Sequence, residues 1–155
     1  MEDLGFEDGY NGIYMWSVAD HFSDPLAAFQ SCYKALKKGG VMLIANINTD
    51  GFDIKTMGSD SVIFTPPSRV NFYNLISLRK QVEMAGFKVK SQETIGKLDV
   101  EIVKKYFEDK KINEVNGFLE YLMLNKNMDQ AREKFQLFLQ ESKLSGFQLI
   151  IATKE

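Results

Sequence analysis

A strand–helix–strand pattern between residues 13 and 47 constrains the fold more than any other feature of the sequence. Residues 13–16 form a short apolar run, and residues 41–47, VMLIANI, form a longer one. A continuous apolar run is typical of a strand that is covered on both faces, as in a parallel sheet with helices on each side. A helical pattern connects the two runs, so the stretch predicts a βαβ unit in a layered α/β domain.

The helix of this unit has recognisable signals at both ends. Asp24 can accept a backbone N–H at the helix start, and Pro25 suits the first helical position. Apolar residues then recur every three or four positions, at Leu26, Phe29, Tyr33 and Leu36. The Gly39-Gly40 pair is expected to supply the left-handed residue that ends the helix, with two lysines in the last turn.

The rest of the chain predicts further helices and two more strands. Residues 48–70 are expected to be a loop, with room for a short helix. Asn74 is expected to cap a helix that Gly86 ends, because both residue types suit those positions. Residues 87–94 begin with an alternating pattern, typical of a strand nearer the sheet edge. Residues 147–154, FQLIIATK, predict the last strand.

A helical insertion is expected at about residues 98–143, before the last strand. Asp99 is expected to cap its first helix, and two further helices are expected at about 112–125 and 128–143. The side chains expected to face inward are Val100, Val103, Phe107, Val115, Phe118, Leu119, Leu122, Ala131, Phe135, Phe138 and Leu139. We therefore expect residues 1–155 to form a single domain with about four strands.

Composition narrows the function classes. The chain has 155 residues, of which 45% are hydrophobic and 26% charged, with a formal net charge of -2. This balance predicts an ordinary globular domain with no general attraction to nucleic acid or anionic lipid. Cys32 is the single cysteine, so an internal disulfide is excluded and buried packing is expected. No signal peptide or membrane span is predicted, and the cytoplasm is the expected location.

Seven runs follow one another in a characteristic order: YNGIYMW, SVADH, FSDP, LKKGG and VMLIANIN, then PPSRVNFYNLISLRKQVEMAGFKV and SGFQLIIATK. This order resembles the C-terminal half of a class I S-adenosylmethionine-dependent methyltransferase. It is most similar to the small-molecule domains of types 11, 12 and 23. The resemblance covers nearly the whole chain. It implies a partial Rossmann-like methyltransferase sheet of about four strands, the last one antiparallel, with covering helices.

The sequence also departs from this family. Members have about three earlier strands, with a glycine-rich turn that holds the methionine part of the cofactor and an acidic residue that binds the ribose. No such turn is found here, and Gly39-Gly40 lies at a predicted helix end, which is the wrong context. We therefore expect a fragment, a truncated domain or a remnant. Weak or no binding of S-adenosylmethionine is expected for the chain alone.

The resemblance places the cofactor beside the residues that leave the first strand. It implies that Trp16 contacts S-adenosylmethionine and that Ser17 and Val18 follow in the same site. In ubiquinone-biosynthesis O-methyltransferases, which have a similar corner, a Glu-x-x-Glu-His set is associated with a divalent metal. Here Ser17 replaces the first glutamate and leaves Asp20 and His21, so no metal site is predicted.

Asp20 and His21 are the candidate catalytic residues. Histidine changes charge near neutral pH, so His21 suits a general base for methyl transfer to oxygen or nitrogen. Asp20 can orient the ring only if the turn brings the two side chains together. The alternative is that both residues simply end the strand and hydrogen-bond the following helix.

Three further residues are candidates for the substrate side. By resemblance, Asn48 matches the end of the family's fifth strand and Arg69 stands where many relatives have histidine. Arg69 can bind an anionic group through its planar guanidinium, and Tyr73 can wall a pocket. Each has a structural alternative: Asn48 as a turn residue, Arg69 as a surface charge and Tyr73 as a core residue.

Two function classes follow. The resemblance implies the substrate-side half of a methyltransferase that, in a full-length parent, methylates an oxygen or nitrogen of a small molecule. The alternative is a non-catalytic remnant that acts as a binding or self-assembly module, pairing with a second copy through an exposed sheet edge. No G-x-S-x-G elbow and no Cys–His arrangement supports a hydrolase.

Overall fold

The computed structural model describes residues 8–109 and 117–155 of the chain. These residues form one mixed four-stranded sheet in the spatial order β1-β2-β4-β3. The strands are β1 (Tyr10–Trp16), β2 (Leu36–Ile47), β3 (Lys88–Thr94) and β4 (Phe147–Thr153). β1 pairs with β2 in parallel, and β4 runs antiparallel to both β2 and β3. The predicted α/β sheet with an antiparallel last strand is confirmed.

Six α-helices surround this sheet within the described residues. They are α1 (Pro25–Ala35), α2 (Phe52–Met57), α3 (Leu75–Met84), α4 (Asp99–Glu108), α5 (Gly117–Leu124) and α6 (Asp129–Glu141). A 3-10 turn at Ala19–His21 joins β1 to α1. None of the described helices is long and apolar enough to cross a membrane.

The helix starts follow the local sequence closely. The Asp24 side chain accepts the backbone N–H of Ala27 at 3.0 Å, with Pro25 in the first turn of α1. Asn74 caps α3 reciprocally with Ser77: the Asn74 side chain accepts the Ser77 N–H at 2.8 Å, and the Ser77 hydroxyl accepts the Asn74 N–H at 3.0 Å. These two predicted caps are confirmed. Each depends only on neighbours within four residues, which local sequence specifies.

The predicted end of α1 at Gly39-Gly40 is wrong. α1 ends at Ala35, and Leu36 is already extended with φ -80° and ψ 142°. Pairing with distant strands replaces the last helical turn: Leu36 lies opposite Tyr10, and the Gly39 N–H donates to Lys154 O at 2.7 Å. Gly39 does adopt a left-handed φ of 78°, but as part of an irregular start to β2 rather than as a helix cap.

Two apolar cores hold the layers together. The first lies where α1 and α3 cover one face of the sheet, and its fully buried side chains include Phe29, Leu36, Met42, Ile44, Leu78, Val82 and Ile150. Cys32 belongs to this core, and burial raises the pKa of its thiol to about 11. The second core joins α4, α5 and α6 through Val103, Met123 and Leu139.

The helical insertion differs from the prediction in three places. Asp99 is the first residue of α4 and not its cap, because its carboxylate accepts hydrogen bonds from the distant segment before β4. Phe118 and Phe138 were expected to face inward but are 72% and 51% exposed. Arg132 is buried in the same helical layer, where it donates to carbonyls at the end of α5. Val115 lies outside the described residues.

Candidate functional site

The corner after β1 lies at the carboxyl end of the parallel strand pair. Trp16 ends the strand and remains 54% exposed, and Val18 is 41% exposed. Ser17 between them takes a left-handed φ of 50°, and its N–H donates to Ala45 O at 2.8 Å. The chain therefore leaves the sheet abruptly here and presents Trp16 and Val18 outward. These are the three residues that the resemblance assigns to the cofactor.

Asp20 is buried behind this corner and is held by the loop before α3. Its Oδ2 lies 2.7 Å from Nε of Arg69, and its side chain is only 3% exposed. Neither carboxylate oxygen accepts an aligned hydrogen bond from the described residues, so the contact with Arg69 is an ion pair. The Asp20 backbone carbonyl accepts the N–H groups of Val70 and Asn71 at 3.0 and 3.1 Å.

His21 takes its orientation from a backbone carbonyl rather than from Asp20. Its Nδ1 donates to the carbonyl oxygen of Ser68, whereas its Nε2 lies 3.7 Å from Oδ1 of Asp20, beyond hydrogen-bond distance. Because a carbonyl can only accept, the ring proton of neutral His21 belongs on Nδ1, and Nε2 carries the lone pair. The half-exposed ring can therefore accept a proton at Nε2.

Arg69 and Tyr73 are both engaged with the protein interior. Besides its contact with Asp20, Arg69 donates from Nη1 to Ile63 O at 3.3 Å. Tyr73 is 5% exposed in the first core, and its hydroxyl has no partner among the described residues. Burial and the nearby charge of Asp20 raise the pKa of Tyr73 to about 12, so its phenolate is absent near neutral pH.

Asn48 is fully buried in the turn that follows β2. Its Nδ2 donates to Ser145 O at 2.9 Å, and its Oδ1 accepts the Asp50 N–H at 3.3 Å. Both ends of the amide are thus used to connect β2 with the start of β4. The structure brings Asp20, His21 and Arg69 together and keeps Asn48 in a separate structural turn.

A cavity of about 400 Å³ opens at the same end of the sheet, and we call it the strand-end cavity. Its walls include Trp16, Ile47, Ile63 and Phe147, and two buried carboxylates, Asp53 and Asp99, also line it. The rings of Trp16 and Phe147 lie 5.1 Å apart. Sequence reasoning missed Asp53 and Asp99 as a pair: each follows a predicted strand, but the order and direction of those strands cannot be read from the sequence.

No metal centre is evident in residues 8–109 and 117–155, where no group of three or more His, Cys, Asp or Glu side chains is placed to hold an ion. A further cavity of about 520 Å³ lies between α4 and α6 and is lined by residues such as Glu133 and Leu137. Its lining comes mostly from the helical insertion and includes neither Trp16 nor Phe147, so we regard the strand-end cavity as the candidate site.

Two comparisons with known proteins concern the sequence of the chain. A family model described as a methyltransferase domain matches residues 2–92. No curated protein sequence matches the chain.

Several solved structures share the fold. A SAM-dependent methyltransferase of Thermotoga maritima, described as a possible histamine N-methyltransferase, is 17% identical with a TM-score of 0.59; the match covers 98% of this chain and 59% of that one. A Haemonchus contortus phosphoethanolamine N-methyltransferase in complex with S-adenosylhomocysteine is 19% identical with a TM-score of 0.51, covering 96% and 34%. The cyclase SpnF is 12% identical with a TM-score of 0.56, covering 97% and 53%.

The chain spans less than two thirds of the length of these structures. Likeness at this level of identity concerns the fold, and the cyclase illustrates that one fold serves more than one reaction. The family model is the stronger result, because it matches more than half of the 155 residues, from before β1 into β3. This chain belongs to the methyltransferase domain family.

Proposed function

We propose that this chain carries the acceptor side of an S-adenosylmethionine-dependent methyltransferase site. The complete domain would transfer a methyl group to an oxygen or nitrogen of a small molecule. The observation that carries the proposal is the strand-end cavity, whose wall includes Trp16 at the carboxyl end of β1. In open α/β sheets, ligands bind at the carboxyl ends of the strands, beside the point where strand order reverses.

The residues around Trp16 fit one wall of a cofactor site. Trp16 and Val18 are exposed at the corner, and Ser17 is fixed between them by its bond to Ala45. When bound, S-adenosylmethionine supplies an electrophilic methyl group. Residues 8–109 and 117–155 contain no glycine-rich turn between a parallel strand and a helix. The proposal therefore includes a second wall, supplied by elements beyond these residues.

His21 is the proposed general base. Its Nε2 would accept the proton that the acceptor oxygen or nitrogen releases as the methyl group is transferred. The Asp20 carboxylate, 3.7 Å from Nε2, would stabilise the resulting imidazolium through its charge. Arg69 would act as a positioning residue. Its guanidinium pairs with Asp20, and the carbonyl of the preceding residue, Ser68, accepts the hydrogen bond from His21.

The charge and the cysteine content of the chain fit two further parts of the proposal: a small-molecule acceptor and a reducing compartment such as the cytoplasm. The formal charge of -2 offers no general attraction to nucleic acid. The only cysteine is buried and unpaired, as expected where disulfides do not form.

Calorimetric titration with S-adenosylmethionine tests the division of the cofactor site. We expect no heat or very weak binding for the 155-residue chain, because one wall cannot enclose the cofactor. Sub-micromolar binding would contradict this expectation. The coding sequence directly upstream supplies a second test: an in-frame strand followed by a glycine-rich turn supports the proposal.

A second candidate function is a non-catalytic binding or self-assembly module. It is favoured by β1, which pairs on one side with β2 and has no strand on its other side among the described residues. Tyr14 and Trp16 on this strand are 60% and 54% exposed, and an open edge is a template for another strand. Light scattering at high protein concentration separates the two functions: a clean monomer would count against self-assembly.

A further inference from the structure

Two carboxylates from distant parts of the sequence meet at the base of the strand-end cavity. Asp53 lies in the first turn of α2, after β2, and Asp99 begins α4, after β3. β2 and β3 both run antiparallel to β4, so their carboxyl ends lie at the same end of the sheet. Gly146, just before β4, lies between the two side chains: its N–H donates to Oδ1 of Asp99, and a Cβ there would overlap the carboxylate of Asp53.

The two carboxylates differ in how many hydrogen bonds they accept. Asp99 is 3% exposed and also accepts hydrogen bonds from Ser145 Oγ at 2.8 Å and Gln136 Nε2 at 2.6 Å. Asp53 is 7% exposed, and its Oδ1 has no hydrogen-bond partner among the described residues. An unpaired buried carboxylate oxygen is costly, so an uncompensated polar atom at a cavity wall indicates a missing donor.

The electrostatic environment of Asp53 and Asp99 favours a bound cation. Burial, and next the negative charge of Asp99, raise the pKa of Asp53 to about 6. Two like charges this close disfavour each other's ionisation, and a positive charge between them relieves both the repulsion and the unmet hydrogen bond. Lys97 also lines the cavity, but it is exposed at its rim.

The walls of the cavity define which cation fits. Ile47, Ile63 and the rings of Phe147 and Trp16 provide apolar surface. A hydrated inorganic ion gains nothing from such walls, because it prefers several oxygen ligands. A small amine with an apolar body matches both the carboxylates and the apolar walls.

We propose that the strand-end cavity binds a small organic amine, with its ammonium group on Asp53 and Asp99 and its apolar body against Trp16 and Phe147. This inference rests on the proposed function in one respect: it assigns an amine-bearing molecule as the methyl acceptor, with transfer to an oxygen or nitrogen other than the anchored ammonium, which has no free electron pair. The ammonium group serves here as an anchor that donates hydrogen bonds to the Asp53 carboxylate at the cavity wall.

The single tryptophan of the chain provides the readout. Phenethylamine, a cation at pH 7.5, is titrated into the 155-residue chain while Trp16 fluorescence is recorded. The neutral 2-phenylethanol has nearly the same shape and serves as the ligand control. We expect saturable binding of the amine at least tenfold tighter than that of the alcohol. Equal binding of the two, or no binding of the amine, would overturn the proposal.

Asp53→Asn keeps the shape of the side chain and removes its charge, so it should lose at least tenfold in amine affinity. Asp60→Asn is the matched control, because Asp60 is exposed and does not line the cavity. Unchanged amine affinity in a folded Asp53→Asn variant would overturn the proposal. If that variant does not fold, the comparison of amine with alcohol on the native chain decides.

Because this titration uses no cofactor, its outcome is separate from the test of methyl transfer. Amine binding by a protein that never transfers methyl groups would remove the proposed function and keep the amine site. Methyl transfer without any preference for amines over alcohols would remove the amine site and keep the proposed function.

Discussion

Arg69 places its Nε 2.7 Å from Oδ2 of Asp20 and thereby joins the loop before α3 to the corner after β1. The same loop carries Ser68, whose carbonyl orients His21, and the same guanidinium reaches the carbonyl of Ile63 at the strand-end cavity. One ion pair therefore connects the proposed base, its loop and the cavity wall.

Removing this ion pair should destabilise the fold. In Arg69→Met the apolar stem is retained, but Asp20 stays buried without a counter-charge, which costs about 3 kcal/mol of unfolding free energy. Arg79→Met is the control, because Arg79 forms an exposed pair with Glu83 that contributes under about 0.5 kcal/mol. Urea denaturation measures both, and equal effects would contradict the assigned role of Arg69.

The tautomer of His21 can be observed directly, since the chain has one histidine. The hydrogen bond to Ser68 O requires the neutral ring to carry its proton on Nδ1. Nitrogen-15 NMR of the imidazole at pH 8 should therefore report protonated Nδ1 and unprotonated Nε2. A dominant Nε2–H form would remove the basis for Nε2 as the proton acceptor.

Asp53→Asn should stabilise the protein at neutral pH. The folded-state pKa of about 6 lies above the ordinary value of 3.8, so the native state binds this proton more tightly than the unfolded chain does. Stability from Asp53 is fully present below pH 3.8 and is lost as pH rises through about 6. At pH 7.5 the loss is about 3 kcal/mol, which the variant recovers.

Thermal melts at pH 7.5 and pH 4 check the direction of this change in stability. The melting temperature of Asp53→Asn should exceed that of the native chain at pH 7.5, and the difference should nearly vanish at pH 4. Asp60→Asn should show no such difference at either pH. A destabilised Asp53→Asn at pH 7.5 would mean that the ionised carboxylate is favoured in the fold.

Local signals explain what the sequence predicted well. The caps at Asp24 and Asn74 and the strand at residues 147–154 depend on residues close in sequence, and the structure confirms them within one or two positions. The end of α1 was wrong because Leu36 and Gly39 pair with Tyr10 and Lys154, and such distant pairing outweighs a local glycine signal.

The candidate site was predicted only in part for the same reason. Asp20 and His21 are adjacent in sequence, and their corner follows from a strand end. The contact of Arg69 with Asp20 spans a loop whose path has no periodic signal, so Arg69 could be placed only by resemblance. Asp53 and Asp99 meet because β2 and β3 end at the same end of the sheet. Predicting that meeting requires the strand order to be known.

Methyl transfer by the longest natural polypeptide that contains this chain tests the central claim most directly. With S-adenosylmethionine labelled in its methyl group and a panel of small amines and alcohols, we expect transfer to at least one acceptor. His21→Gln should lower kcat/KM about 100-fold at pH 7.5 while leaving cofactor affinity unchanged. Absence of transfer to every acceptor by a protein that binds the cofactor, or full activity in His21→Gln, would contradict the account.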